Sequence, residues 1–185
     1  VLEDGEEFGL MVIAPAHHRR IAAGILSWGQ DLDHETSPFQ VNLAYQVPRN
    51  KKSDYIGKAE LERQRDVIDS GEAPFKMKMV GITLGGKEIT DYAPDFWLVA
   101  DTDGNDMGYV TSPWWSPELE TNIALAWVPW SSSEVGTKLL VKLPDEYSVT
   151  PGEPVEGEVV DVPFRESVNP NKREVEAAKG KDFAE

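Results

Sequence analysis

The sequence predicts an α+β protein, in which a partial α/β domain (helices plus antiparallel strands) is followed by a small all-β barrel. Residues 1–72 combine short apolar runs with stretches of helical spacing, whereas residues 73–166 contain recurrent short β-type runs and no long helix. Short strands separated by Gly, Pro, Asp and Asn favour a barrel or a sandwich. A polar, charged tail follows at 167–185. With 185 residues, the chain is long enough to bury a core in one or two small domains.

The first region is predicted to hold two strands and two helices. The apolar run at 9–14 and the alternating run at 41–47 are typical of strands, and 16–26 has the spacing of a helix. Residues 57–69 are rich in good helix formers, and Gly71 would end that helix. Two strands make only a marginal sheet, so we expect this region to be part of a larger domain whose remaining strands lie elsewhere, either earlier in a longer chain or on a partner.

The second region is predicted to be a barrel built from six short strands. They are short β-type runs that Gly, Pro, Asp and Asn separate, with no long helix between them. The predicted strands are 77–84, 96–100, 107–112, 123–129, 137–143 and 155–164. In the tail, the stretch REVEAAKG could add a short helix or fray.

Composition excludes several classes of function. The chain has no cysteine, which rules out disulfides, thiol chemistry and iron–sulfur clusters and fits a reducing, cytoplasmic compartment. Its formal net charge of -15 repels phosphate backbones and argues against a nucleic-acid partner. No apolar run is long enough to cross a bilayer, and the first residues do not resemble a signal peptide. We therefore expect neither nucleic acid nor membrane as a partner.

Three polar clusters could suggest chemistry. The stretch GILSWGQDLDHETSPF (24–39) contains Asp31, Asp33, His34 and Glu35, which could form a metal loop, a catalytic cluster or a polar turn. No other group converges on it, so we interpret it as a link between a helix ending near residue 26 and a strand starting near residue 39. The run DTDGNDMG lacks the glycine and glutamate positions of a calcium loop and predicts a hairpin turn.

The histidine pair His17-His18 is equally unconvincing as a metal site. Adjacent residues on a helix point about 100° apart and do not chelate together easily. His18 lies on the same helical stripe as Ile21 and Ile25, so we assign it to the core or to an interface. We predict no metal ligands and no catalytic residue in this chain.

Six tryptophans are many for this length, and two of them stand out. The stretch SPWWSPEL (112–119) places Trp114 and Trp115 between two prolines, which predicts a loop. Adjacent side chains in an extended loop diverge, so one ring could face inward and the other outward. An exposed aromatic ring of this kind often lines a flat ligand or an interface.

Four ordered blocks of the sequence resemble aminomethyltransferases, the glycine cleavage T-protein family. RRIAAGILSWGQDLDHETSPFQVNLAYQV resembles the segment that joins that family's arginine–leucine–glutamate–alanine–glycine motif to an acidic turn and a strand. SDYIGKAELERQR is similar to its DFIGKEAL helix start, MGYVTSPWWSPELETNIALAWVP to its barrel signature, and VVDVPF to its closing strand. Together the blocks cover about residues 9–164 and are specific, although each alone would be weak.

The resemblance implies the C-terminal portion of a tetrahydrofolate-dependent one-carbon transferase. In the family, folate sits in a central pocket shared by three domains, and this chain would supply the end of the second and all of the third. Tyr45 stands where the family often places a tryptophan that lines the folate pocket, and Trp28 stands at its tyrosine beside the glycine. Trp115 lies in the barrel loop that faces the same cleft in the family. The implied ligands are folate and a small methyl donor, and the implied partner is a set of N-terminal domains or a partner subunit.

Three positions depart from the family pattern. Ala16 replaces the arginine that contacts folate or substrate, Ala22 replaces the glutamate of the arginine–leucine–glutamate motif, and Pro113 replaces a glycine. The first departure favours a relative closer to the dimethylsulfoniopropionate demethylases. The acidic residue that activates the transferred carbon belongs to the family's N-terminal region, so we expect this chain alone to be inactive. The alternative is a non-catalytic folate-binding or scaffold module with the same fold.

Overall fold

The computed structural model describes residues 2–11, 16–49 and 51–164. Before the barrel it contains three α-helices and one 3-10 helix: α1 (Leu2–Glu6), α2 (His17–Ala22), the 3-10 helix Ala44–Gln46, and α3 (Lys58–Asp69). The strands are β1 (Met77–Leu84), β2 (Trp97–Ala100), β3 (Asp106–Ser116), β4 (Thr121–Pro129), β5 (Lys138–Val141) and β6 (Val155–Val160). A second 3-10 helix, Trp130–Ser132, follows β4.

The six strands form a closed antiparallel barrel in the order β1-β4-β3-β2-β5-β6, so the predicted barrel is confirmed. The longest ladders join β4 to β1 and to β3, and β4 is buried along almost its whole length. Gly108 in β3 is required there because a Cβ would overlap the carbonyl oxygen of Trp127 on β4. Closure pairs each of the six strands with two neighbours along at least part of its length.

The strands bury two different faces. Alternate residues of β1, such as Val80 and Ile82, point into the barrel and join an apolar core with residues of the other five strands. Met79 points the other way and joins Ile123, Leu125 and Trp127 in an outer apolar cluster, on which residues of α2 pack. The outer face of β1, β4 and β3 is therefore the surface that holds the first part of the chain.

The partial α/β domain is not confirmed, because the described residues before 73 form no strand and only an isolated bridge between Trp28 and Leu32. The strand predicted at 41–47 is wrong: Asn42 has a left-handed backbone with φ of 62°, and the 3-10 helix follows. Of the strand predicted at 9–14, residues 9–11 are not extended in a sheet and the remainder lies outside the described residues. The short helix α1 was not predicted.

The helix predicted at 57–69 is confirmed as α3. Gly71, with φ of 86°, follows its end, and the amides of Gly71 and Glu72 bond back to the carbonyls of Ile68 and Val67. The helix predicted at 16–26 is shorter and ends at Ala22, because Gly24 adopts a φ of 69°. None of the helices in the described part of the chain is long and apolar enough to span a bilayer.

The loop predicted around the paired tryptophans is wrong, because β3 continues through Trp114 and Trp115 to Ser116. Since β2 pairs with β3 only as far as Val110, the rest of β3 is an edge on that side, where Pro113 is tolerated. The hairpin turn predicted at Asp103-Gly104 is confirmed between β2 and β3. The polar tail at 167–185, with its possible helix, lies outside the described residues.

Candidate functional site

Residues 16–39, which include α2 and the turn that follows it, lie against the outer face of β3 and β4. We call them the docking segment. Its apolar anchor is small: Ile21 and Ala22 pack on Ile123 and Leu125. Its polar anchor is Asp31, which is only 1% exposed. A buried carboxylate without partners would be strongly destabilising, so its hydrogen bonds explain how the segment is held.

Asp31 joins three separate parts of the chain. One carboxylate oxygen, Oδ1, accepts hydrogen bonds from the hydroxyls of Thr111 and Ser112 on β3, both at 2.6 Å. The other, Oδ2, accepts from the backbone amide of Ser27 at 2.7 Å and from Arg20 Nη1 at 2.9 Å. Four donors, one of them a cation, satisfy this charge and fix α2 to the barrel strand.

Arg20 extends the same network. Its Nη2 donates to Ser112 Oγ at 2.8 Å and Nη1 to the carbonyl of Ile25 at 3.2 Å. The nearby Gln30 donates from Nε2 to the carbonyl of Thr111 at 2.7 Å. Because Arg20 bonds to Asp31, to β3 and to the turn that follows α2, its removal would leave several polar groups unpaired.

The indole of Trp127 completes the attachment from β4. Its Nε1 donates to the main-chain carbonyl of Asp31 at 2.9 Å, so the ring is held in one orientation beneath the turn. Farther along, Ser37 donates from its hydroxyl to Gln64 Oε1 at 2.7 Å, which connects the docking segment to α3. The acidic stretch that looked like a linking turn is therefore also the polar anchor of this region.

A stack of aromatic rings covers the N-terminal end of α2. The imidazole of His17 lies 5.1 Å from the indole of Trp114 at an interplanar angle of 13°, and 5.3 Å from Tyr92 at 59°. Arg20 Nε donates to His17 Nδ1 at 3.3 Å. Burial, followed by the charge of Arg20, lowers the pKa of His17 below its usual value of 6.5. The neighbour His18, assigned from sequence to the core or to an interface, is only partly buried and makes none of these ring contacts.

A small pocket of about 150 Å³ lies between the turn at 29–36 and the barrel. Phe96, Tyr109 and Trp127 supply aromatic walls, and Asp33 supplies a carboxylate. The rings of Phe96 and Tyr109 stack with centroids 5.3 Å apart at 19°. Burial and the charge of Asp33 raise the pKa of Tyr109. Hydrogen bonds from the Glu35 amide and the Thr36 hydroxyl lower the pKa of Asp33, which stays ionised at neutral pH.

A larger pocket of about 620 Å³ lies on the barrel where β1, β5 and β6 meet. Its lining includes the charged residues Lys138, Glu156 and Glu158 and the aliphatic residues Leu84 and Leu139, but no aromatic side chain. A flat aromatic ligand would find no ring to stack on there.

The three residues predicted to line a folate pocket lie at separate places. Trp28 and Tyr45 are each 69% exposed, Trp28 next to the anchored turn and Tyr45 in the 3-10 helix. Trp115 is partly buried in β3, where its amide donates to the carbonyl of Ile89 at 2.8 Å. Neither of the two pockets above is lined by any of the three residues.

Within the part of the chain that the structure describes, no group of three or more His, Asp or Glu side chains could hold a metal ion. Asp101, in the run that superficially resembles a calcium loop, accepts hydrogen bonds from the amides of Asp103 and Asn105 instead. Those bonds close the turn between β2 and β3.

The polar anchor and the small aromatic pocket were both missed from sequence. Asp31 meets Thr111 and Ser112, which are about 80 residues away in the sequence, and spacing alone does not show such a meeting. The one available signal was the aspartate itself, because a charged residue between Trp28 and Leu32 is a candidate for a buried, paired charge.

Comparison with known proteins places the barrel in a family. Residues 77–165 match the family model described as the glycine cleavage T-protein C-terminal barrel domain. The aminomethyltransferase of Synechococcus sp. (strain CC9902) is 34% identical over 124 residues, which are 67% of this chain and 31% of that protein. The aminomethyltransferase of Rubrobacter xylanophilus is 32% identical over 145 residues, or 78% of this chain and 34% of that protein.

The fold agrees with these matches. The crystal structure of the glycine cleavage system aminomethyltransferase T from Bartonella henselae has a TM-score of 0.62 and 24% identity. The match covers 81% of this chain and 38% of that one. The chain thus spans about a third of the length of the curated relatives that it matches.

Proposed function

Because this chain belongs to the aminomethyltransferase (glycine cleavage T-protein) superfamily, whose C-terminal portion it matches, we propose that it works as part of a one-carbon transferase. The transferase would depend on tetrahydrofolate and move an aminomethyl or methyl group in the cytoplasm. The observation that carries the proposal is the match of residues 77–165 to the family's barrel, extended by relatives over most of the chain.

The residues of this chain fit one wall of a folate pocket. The pocket of about 150 Å³ is too small for folate, and the one of about 620 Å³ has no aromatic lining. Trp28 and Tyr45, in contrast, expose most of their rings, and neither ring stacks on another aromatic residue of the described chain. Such faces are suited to a flat pterin or aminobenzoyl ring bound between this chain and another domain.

Each proposed wall residue has a distinct support. Trp28 follows Ser27, whose amide is bonded to the buried Asp31, so its backbone is held beside the anchored turn. Tyr45 is carried by the 3-10 helix that follows the buried Val41. Trp115 is carried by β3 and has the least exposed ring of the three.

We propose that the remaining walls come from a folate-binding domain, either in the same polypeptide or in a partner subunit. When bound, folate would accept the one-carbon unit at its reactive amines. This chain would orient the aromatic part of folate and exclude water from that side. A carboxylate that handles the proton of the folate amine would come from the other domain. Ala16, where the family has arginine, supports a donor of the demethylase type rather than glycine cleavage.

The test uses the 185-residue chain and, beside it, the longest reading frame that contains it. Tetrahydrofolate binding is measured by calorimetry and methyl or aminomethyl transfer by product formation, in wild type, Trp28→Ala and Tyr45→Ala. We expect transfer by the longer protein and none by the 185 residues alone. Each substitution should weaken folate binding about three- to tenfold, the size of a lost aromatic stack.

Phe8→Ala is the matched control, because Phe8 is also an exposed aromatic residue and has no proposed place in the pocket. Normal folate binding by folded Trp28→Ala and Tyr45→Ala variants would show that the pocket assignment is wrong. Turnover by the 185 residues alone would contradict the need for another domain. Folate binding without transfer by the longer protein would favour a non-catalytic binding or scaffold module.

A further inference from the structure

The small pocket between the turn at 29–36 and the barrel has a composition that points to a ligand of its own. Three of its walls are aromatic: Phe96 from the residue before β2, Tyr109 from β3 and Trp127 from β4. Phe96 is 52% exposed although it is a large apolar side chain, so one face of the pocket is open to solvent. The aromatic faces carry the negative part of the ring quadrupole, which attracts cations.

The charged side chains that line the pocket have the same sign as the ring faces. Asp31 and Asp33 line it, and the side chains lining it include no lysine, arginine or histidine. The Asp31 carboxylate is already neutralised by Arg20 and three further donors, so it offers little to a ligand. Asp33 receives only short-range bonds from its own turn, and it is the one carboxylate there without a cationic partner among its bonds.

The walls are also held in place before any ligand arrives. Trp127 is 7% exposed, and its Nε1 bond to the Asp31 carbonyl fixes the ring. Tyr109 and Phe96 stack on each other at 5.3 Å. Gln30, on the same turn, is bonded to the carbonyl of Thr111. A preformed pocket loses little conformational entropy on binding, which favours affinity for a small ligand.

We propose that this pocket binds a small, weakly hydrated organic cation of the methylated-ammonium class, against the aromatic rings of Phe96, Tyr109 and Trp127 and beside Asp33. A volume of about 150 Å³ admits a molecule the size of benzene, and tetramethylammonium has fewer non-hydrogen atoms than benzene. A metal cation would need several oxygen ligands, and the described residues contain no such group. The inference concerns a different surface from the folate wall and does not rest on the proposed function.

The experiment titrates the protein with tetramethylammonium chloride, with sodium chloride at the same ionic strength as the reference. Binding is followed by saturation transfer from protein to ligand and by the shifts of the tryptophan indole N–H signals. We expect saturable binding of tetramethylammonium, with at least one indole signal moving. The neutral isostere tert-butanol should bind at least about fivefold more weakly, because it keeps the apolar shape and lacks the charge.

Two variants test the two halves of the site. Phe96→Leu keeps an apolar side chain but removes a ring face, and Asp33→Asn removes the charge while it keeps an acceptor for the turn. Each should weaken tetramethylammonium binding about two- to fivefold. Phe8→Leu and Asp103→Asn are the matched controls, since both residues are exposed and neither lines the pocket.

Several results would overturn the proposal. Equal binding of tert-butanol would show a merely apolar pocket, and equal effects of sodium chloride would show non-specific screening. An unchanged affinity in folded Phe96→Leu and Asp33→Asn would place the cation elsewhere. The proposal would also be rejected if tetramethylammonium showed no saturable binding at high concentration. The limit is 100 times the highest tert-butanol concentration that shifts a signal.

Discussion

The barrel and the docking segment are held by different kinds of interaction. The barrel closes six strands around an apolar core whose members, such as Ile82, Val99 and Leu139, are almost wholly buried. The docking segment buries three apolar side chains, Ile21, Ala22 and Phe39, and depends on a network around one carboxylate. One region is stabilised by apolar area and the other by specific polar contacts.

That difference explains where the exposed aromatic residues lie. The barrel pairs its strands with one another and buries its inner apolar side chains by itself, while its outer apolar cluster is covered by residues of α2. The first part of the chain has no sheet of its own in the described residues and leaves Trp28 and Tyr45 largely exposed. The barrel is therefore the stable platform of the described chain, and the docking segment is attached to it.

The largest effect is expected when the platform itself is damaged. Ile82→Ala removes a side chain that is 0% exposed at the centre of the barrel, which should lower the free energy of unfolding by about 2–5 kcal/mol. Denaturant unfolding followed by tryptophan fluorescence measures this change. Because the docking segment has no independent core, we expect both regions to unfold in one transition.

The control for this change is Leu98→Ala, in which a half-exposed leucine of β2 is truncated. It should change the unfolding free energy by less than about 1 kcal/mol, because little apolar surface is transferred to water. If the docking segment kept its structure after the barrel had unfolded, the conclusion that it depends on the barrel for its stability would be wrong.

An intermediate effect is expected when the polar anchor is removed. Asp31→Ala leaves Arg20, whose side chain is 18% exposed, and two β3 hydroxyls without their common acceptor. Loss of one partner of a buried ion pair lowers the free energy of unfolding by about 3–5 kcal/mol. Because Arg20 is partly exposed, we expect a smaller decrease, of about 2–3 kcal/mol. The loss should be local, since the inner core of the barrel does not include Asp31.

Amide hydrogen exchange distinguishes a local loss from a global one. In Asp31→Ala, protection should fall in α2 and at residues 27–32, while β1 and β4 keep theirs. Glu35→Gln is the matched control, because Glu35 is an exposed acid of the same turn. An equal loss of protection in β1 and β4 would mean that the anchor supports the barrel as well.

The contrast between the barrel and the docking segment also separates the features that could be predicted from the sequence from those that could not. The strands of the barrel follow from short β-type runs and the turn residues between them, and β1 begins and ends where the sequence indicated. The strand expected at 41–47 failed because the left-handed Asn42 interrupts an alternation that sequence alone cannot distinguish from a strand. The edge position that tolerates Pro113 depends on where β2 stops pairing, and Trp115 was therefore assigned to a loop.

The polar anchor was less predictable for a different reason. Its partners come from α2, from the turn after it and from β3, and no local pattern shows that these elements meet. The family resemblance indicated Trp28, Tyr45 and Trp115 as candidates for folate contact, and their roles remain predictions. Residues that act through long-range polar contacts need a structure before they can be recognised.

The smallest effect concerns pH and the ring stack at the start of α2. Neutral His17 accepts a hydrogen bond from Arg20 on Nδ1, and protonation would replace that bond with repulsion between two cations. Its pKa is lowered in the folded protein by burial first and by Arg20 second, against the opposing charge of Asp31. The folded state therefore binds fewer protons than the unfolded state below pH 6.5, and stability falls as the pH drops from 6.5 through the folded pKa.

His17→Gln should remove this part of the pH dependence, although it also removes the stack on Trp114 at every pH. The informative quantity is thus the slope of unfolding free energy against pH between 5 and 7, which should be shallower in His17→Gln than in wild type. His34→Gln, at an exposed histidine of the turn, should keep the wild-type slope. If the two variants have the same slope, the docking segment carries no proton-linked contact at His17, and its attachment depends on the Asp31 network and apolar packing alone.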